Sequence, residues 1–202
     1  MRSFTTAALP GRCPRCYVMA THCLCAEVPT VATRTQVVVV RHQREGWKST
    51  GTARIAALAL PGLSCLEYGE DAQPAQAALT PELLEGAGVL FPAEPPAAWA
   101  PGTLRRLVVL DGTWRQARRM FKRLPALHAL PRLSLPPQAH PVLRLRTTTF
   151  EDGRSTLEAI ADALALLEGP EVAAPLRALH ELHVERTFRA RGVWALKAGS
   201  TW

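Results

Sequence analysis

The sequence predicts an α/β protein: a mostly parallel sheet with helices on both faces and a small cysteine-rich knuckle at its N-terminal end. Three observations lead there. The run TQVVVV (Thr35 to Val40) is dense in β-branched residues and does not alternate with polar ones, as in a strand buried on both faces. A second apolar run, Leu107 to Leu110, stops at Asp111-Gly112 and gives way to a helical pattern, a strand-turn-helix unit. Elsewhere apolar runs alternate with helical segments, the pattern of strands joined by crossover helices.

The 202 residues suit one domain of ordinary size with a small appendage, divided here into a knuckle over 1–30 and an α/β domain over 31–202. No stretch resembles a transmembrane span, and the polar opening MRSFTT lacks the apolar core of a signal peptide, so the expectation is a cytoplasmic protein with no membrane partner. The formal net charge of +7 permits binding to nucleic-acid phosphates without requiring it.

Cys13, Cys16, Cys23 and Cys25 form C-x2-C-x6-C-x-C within thirteen residues. Two close thiolate pairs meet the tetrahedral, soft-ligand demand of zinc, and four protein ligands leave no open position for chemistry, so the zinc is structural. The bound ion would lower the net positive charge by about two. His22 is a weaker substitute ligand. The knuckle presents Arg12, Arg15 and His22, while Cys65, alone in an apolar run, belongs to the core.

After the strand at Thr35 to Val40 comes a polar segment, Arg41 to Glu45, and then the hydroxyl-rich turn Lys48-Ser49-Thr50-Gly51-Thr52 before a helix over Ala53 to Leu60, halted by Pro61. Such a turn either cradles an anion, with Lys48, Ser49 and Thr52 as donors, or caps the helix through Ser49, Thr50 or Thr52. Gly62 to Tyr68 reads as the next strand. Thr80-Pro81-Glu82 supplies an N-cap, a proline at the first helical position and a first-turn acid, opening a short helix. Gly88 to Phe91 is a brief strand, and the prolines that follow stiffen a loop able to wall a pocket.

Arg105 to Leu110 leads into the central unit. Asp111 stands at the carboxyl end of a strand, where ligands gather in open α/β sheets. The helix beginning at Thr113 or Trp114 carries Ala117, Met120, Phe121 and Leu124 on one face and Arg115, Arg118, Arg119 and Lys122 on the other. Leu133 to Leu135 and Val142 to Leu145 are candidate strands. Ser155-Thr156-Leu157-Glu158 is a capping box opening a helix to about Leu167; its Ser and Glu serve either the helix end or a ligand. A last helix, expected to open near Pro175, carries Arg177, His180, His183, Arg186, Arg189 and Arg191, read as a solvated basic face. Neither Gly-x-Gly-x-x-Gly, Gly-x4-Gly-Lys-Ser/Thr, Gly-x-Ser-x-Gly nor His-Glu-x-x-His occurs, which argues against dinucleotide, P-loop, serine-hydrolase and zincin chemistry.

Four blocks occur together in order: CPRCYVMATHCLC, the His42-x-x-Glu45 segment with its hydroxyl turn, LDGTWRQARRM with Asp-x-Thr-Trp, and RSTLEAIADAL. In this the sequence resembles the DTW-domain family of tRNA-uridine aminocarboxypropyltransferases. It departs from the family pattern at Gln43, where Pro follows the His, and at Gly51, where Asn precedes the Thr. The resemblance implies a SPOUT-like sheet with a C-terminal trefoil knot. It implies S-adenosylmethionine (SAM) as cosubstrate, tRNA and not DNA as partner, and transfer of the 3-amino-3-carboxypropyl group to N3 of a uridine, releasing methylthioadenosine. By the same resemblance SAM would be enclosed by Leu90, Phe91 and Pro92, by Asp111, Gly112, Thr113 and Trp114, and by Thr147, Ser155, Thr156 and Glu158. Asp111 is the candidate catalytic residue, as a base or as a holder of the ligand's amino group. Lys48, Ser49 and Thr52 are candidates for the transferred carboxylate. Arg115, Arg118, Arg119 and Lys122, with Arg12 and Arg15, are candidates for the tRNA backbone. A SPOUT-like RNA methyltransferase and a non-catalytic zinc-dependent RNA-binding protein are the alternatives. The oligomeric state stays open, with a monomer among the options.

Overall fold

A computed structural model describes residues 10–69, 73–95, 101–138, 143–145 and 153–194. Five parallel strands, β1 (Gln36–His42), β2 (Ser64–Tyr68), β3 (Ala87–Leu90), β4 (Arg106–Asp111) and β5 (Arg132–Leu133), lie in the order β2-β1-β4-β3-β5. The parallel α/β expectation is therefore met. Val37 to Val40 are each at most 1% exposed, which explains the unalternated β-branched run: both sheet faces are covered.

The two faces can be read residue by residue. Odd-numbered side chains of the central strands (Val37, Val39, Leu107, Val109) pack in one apolar cluster with α1 (Thr52–Ala59), α5 (Thr156–Glu168) and α6 (Pro170–Ala190). Even-numbered ones (Val38, Val40, Val108) join the opposite cluster, with α2 (Gln73–Ala78) and α4 (Trp114–Arg123). Between α2 and β3 runs the short α3 (Pro81–Leu84), whose N-cap Thr80 accepts from Leu83 N at 3.3 Å, as its sequence predicts. Cys16, Val18 and Leu24 of the knuckle belong to the same cluster as α1, α5 and α6, and Tyr17 lies under the guanidinium of Arg54 with 3.7 Å from Cζ to the ring centroid.

Several expectations need correction. β1 continues through Arg41 and His42, because Arg41 stays in register with Asp111 of β4 and Glu67 of β2. α1 has Gly51 as its N-cap and no side-chain cap, so Ser49, Thr50 and Thr52 do not cap it. α2 is an unexpected element. β5 covers Arg132 and Leu133 rather than Leu133 to Leu135, and Leu143 to Leu145 are not in a strand; Val142 lies outside the described residues. α6 opens at Pro170 and accommodates Pro175 in its interior, where the absent N–H costs one helical bond. Its histidines are not solvated: His180 is 3% and His183 0% exposed, His180 beside Glu158 of α5 and His183 against the Ser49 backbone. Arg177, Arg186 and Arg189 instead pair with Asp162, Glu27 and Glu185. No helix among the described residues is long and apolar enough to cross a membrane.

Candidate functional site

From the central pair of strands the chain leaves in opposite directions. After β1 it crosses to β2 through α1, and after β4 it crosses to β5 through α4, on the other face of the sheet. Such a switch point is where open parallel sheets bind ligands, in the crevice beyond the carboxyl ends of the strands, and Asp111 and Arg41 stand there as register partners. Both side chains are buried, at 5% and 4% exposure. Arg41 Nη2 donates to Glu67 Oε1 at 2.6 Å, and Asp111 Oδ1 accepts from Thr156 Oγ1 at 2.5 Å.

Helix starts converge on this carboxylate. Thr156 is the first residue of α5, whose capping box is complete: Glu158 N donates to Ser155 Oγ at 3.3 Å and Ser155 N to Glu158 Oε2 at 2.8 Å. Next to it, Leu157 N donates to Thr52 Oγ1, tying the starts of α5 and α1 together at 3.2 Å. From the other side of the sheet α4 begins one residue after Thr113, which forms a second capping box with Gln116. A Cβ on Gly112 would stand 3.0 Å from Gln116 Cβ, so a side chain there would crowd that cap. The partial positive charge of the α4 and α5 starts lies at this end of the sheet, which suits anionic or carboxylate groups, although the cap amides themselves are already bonded.

An aromatic wall stands on the α4 side of the sheet, past the end of β3. Phe91, just past β3, stacks on Trp114 at 5.6 Å and on Phe121 at 4.3 Å between ring centroids. Trp114 keeps 37% of its surface exposed, with Arg118 Cζ 5.8 Å from its ring centroid. Leu90 ends β3, and Pro92 continues the wall as an exposed residue. Behind it, Arg115, Arg118, Arg119 and Lys122 are all exposed, and none pairs with a carboxylate among the described residues. The row of cations read from the sequence is a surface of α4.

Of the remaining candidates, Lys48 pairs with Glu45 and Thr52 is spent on Leu157 N. Glu158 is enclosed: Arg144 Nη2 approaches at 3.0 Å and His180 Nε2 at 3.5 Å. Burial pushes its carboxyl up, but Arg144, His180 and the Ser155 amide outweigh it and hold the group below its ordinary value. Thr147 lies outside the described residues. Two residues at the crevice had no role assigned from the sequence, His42 having entered only as part of the His42-x-x-Glu45 block. Arg41 could have been suspected as a charge ending an apolar run. His42, whose Nδ1 accepts from Arg44 N at 3.2 Å, faces the α4 side near Arg119; burial, then the Arg44 charge, lowers its pKa. Cys65 lies near Asp111 and Arg41, and burial pushes its thiol up to about 12, an unreactive thiol.

The four knuckle cysteines bring their Sγ atoms within 4.8 Å of one another. Cys13 to Cys25 is 3.6 Å and Cys16 to Cys23 is 3.9 Å. Tetrahedral zinc with ~2.3 Å Zn–S bonds needs sulfurs about 3.8 Å apart, so the residues fit the ion. The thiols do not shift together: the amides of Cys16 and Arg15 bring Cys13 down to about 7 against its burial, whereas burial pushes Cys16 and Cys25 up, so the fit to zinc rests on the geometry of the sulfurs.

The chain is similar to tRNA-uridine aminocarboxypropyltransferase 2 of Drosophila melanogaster, 32% identical over 191 residues, covering 85% of this chain and 73% of the relative. No solved structure matches it. The DTW domain matches residues 11–188, from the knuckle through the Asp111 crevice to the end of α6, and the chain belongs to the DTW-domain family.

Proposed function

We propose that this protein is a SAM-dependent transferase that moves the 3-amino-3-carboxypropyl group to N3 of a uridine in tRNA. The observation that carries the reading is the buried Asp111 at the sheet's switch point, oriented by Thr156 and adjoined by an exposed aromatic wall and a cationic helix. The named relative adds the reaction class.

The site suits SAM chemically. Phe91 and Trp114 offer a surface for a purine ring. Gly112, Thr113, Ser155 and Thr156 line the helix starts, whose amides suit the carboxylate of the transferred group. When bound, SAM supplies a carbon already activated by its sulfonium. The protein's part is then alignment and proton handling: N3 must approach that carbon in line and give up its proton as the new N–C bond forms and the C–S bond breaks. Asp111 is the carboxylate at hand, either receiving that proton or holding the amino group of the transferred chain. Arg115, Arg118, Arg119 and Lys122 hold the tRNA phosphates, with Arg12 and Arg15 on the knuckle.

The SPOUT-like reading is supported by the parallel sheet and by α5, whose first turn returns to the end of β4 after the segment between β5 and residue 155. A trefoil knot in that segment is part of the proposal; residues 139–142 and 146–152 lie outside the described ones. A cytoplasmic location and a division at residue 30 complete it. By-product analysis tests the reaction class: methylthioadenosine is expected, whereas S-adenosylhomocysteine would indicate methyl transfer instead.

A further inference from the structure

A small cavity of about 90 Å³ lies where the knuckle, the hydroxyl turn and the end of α6 meet. Its polar lining is Arg12, Ser49, Thr187 and Arg191, with Val18 and Met19 closing the apolar side. Every polar group in that set can donate and neither guanidinium can accept, which is the chemistry of an anion site. A second observation makes it a built site. Thr187 is 6% exposed, yet its hydroxyl has no hydrogen-bond partner among the described residues, although a buried hydroxyl costs about 1–3 kcal/mol when left unpaired. His183, one turn earlier, packs beside the Ser49 backbone; burial pushes it down to about 3, so it adds no charge. Arg12 is held in place by donating from Nη1 to Tyr17 O at 2.9 Å, while Arg191 is exposed at the C-cap of α6.

The geometry points to a phosphodiester pocket: Arg12 and Arg191 flank one phosphate of the tRNA, and the Ser49 and Thr187 hydroxyls donate to its oxygens. The assignment rests on the tRNA reading above and adds a contact on the knuckle side, away from the α4 cations. Ser49 and Thr52 belong to one turn, and Thr52 bonds the start of α5 beside Asp111. Three residues span at most about 10 Å, so a phosphate held at Ser49 registers the RNA against the crevice.

Equilibrium binding of unmodified tRNA, measured against salt concentration, tests this with Arg191→Gln and Thr187→Val. Both positions allow the fold to persist, which thermal melting checks. Arg191→Gln is expected to weaken tRNA binding about three- to tenfold and to reduce the slope of log affinity against log salt by about 0.7–0.9, the signature of one lost phosphate contact. Thr187→Val is expected to weaken binding with the slope unchanged, since it removes a hydrogen bond and no charge. Wild-type affinity and slope in both variants would overturn the pocket while leaving the tRNA reading intact. Competition by inorganic phosphate that depends on Arg191, with tRNA binding indifferent to it, would also overturn it, assigning the cavity to a free anion. A wild-type chain that does not bind tRNA at all would overturn both.

Discussion

Thr156 Oγ1 donates to Asp111 Oδ1 at 2.5 Å, joining the first residue of α5 to the last residue of β4 across 45 positions of sequence. This bond fixes one oxygen of the carboxylate on which the proposed transfer turns. Asp111→Ala is expected to fold and to lose transfer by at least about 100-fold. Asp111→Asn separates the two roles, because it still accepts from Thr156 but is no base. Loss equal to that of Asp111→Ala in single-turnover rate, with SAM affinity retained, assigns proton transfer; a matching loss of SAM affinity assigns ligand holding.

Thr156→Val keeps the volume and removes the donor. We expect stability to fall by about 1–3 kcal/mol, because a buried carboxylate gives up one hydrogen bond, and the transfer rate to fall with it. Denaturant titration together with steady-state turnover measures both. A variant with unchanged turnover would show that the orientation of Asp111 does not matter.

The knuckle shares its core with α1, α5 and α6, so metal loss should weaken the whole domain rather than free an arm. Metal analysis is expected to find one zinc per chain. Chelation, or Cys16→Ser, should lower the melting temperature by about 10 °C or more. An unchanged melting curve after zinc is stripped would remove the metal from the stability account.

Trp114 is expected to report cosubstrate binding through its fluorescence, since it is partly exposed on the aromatic wall at the start of α4. Trp114→Ala should weaken SAM binding about tenfold, and Trp114→Phe should restore most of it, in keeping with a stacking contribution of ~1–3 kcal/mol. Calorimetry distinguishes the outcomes. Equal affinity for all three proteins would place the adenine elsewhere.

Acid should destabilise the fold through α6. His183 is fully buried and pushed down from its ordinary 6.5 to about 3, and His180 is lowered also, in both cases chiefly by burial. The unfolded chain therefore binds protons that the folded chain refuses as pH falls below 6.5. For His183 the stabilisation of the neutral ring is present above that pH and is lost toward pH 3, with a slope approaching ~1.4 kcal/mol per pH unit, and His180 adds to it in the same direction. Glu158, held low, adds its loss at more acid pH. Unfolding free energies from pH 7 to 4 should show this limb, and His183→Gln should flatten it.

The sheet was legible because burial on both faces leaves a plain signature: Val37 to Val40 admit little besides a central parallel strand. Ser155 and Glu158 likewise declare a helix start by local chemistry alone, and the structure has both halves of that box. Long-range relations were not legible. Only the family resemblance put Asp111 and Thr156 at one pocket, since nothing near Thr156 in sequence points to Asp111, and nothing near Leu157 points to Thr52. The basic residues of α6 misled because Arg and His share a charge label but not a desolvation cost: His180 and His183 are buried as the arginines pair outside. Pro175 misled by suggesting a helix start, while α6 already runs from Pro170.

The most direct measurement of the central claim is nucleoside mass analysis of unmodified tRNA after incubation with SAM and either the wild-type chain or Asp111→Ala. The wild type is expected to yield 3-amino-3-carboxypropyluridine and the variant none. A methylated nucleoside, an unmodified tRNA with the active wild-type preparation, or equal product from the variant would contradict it.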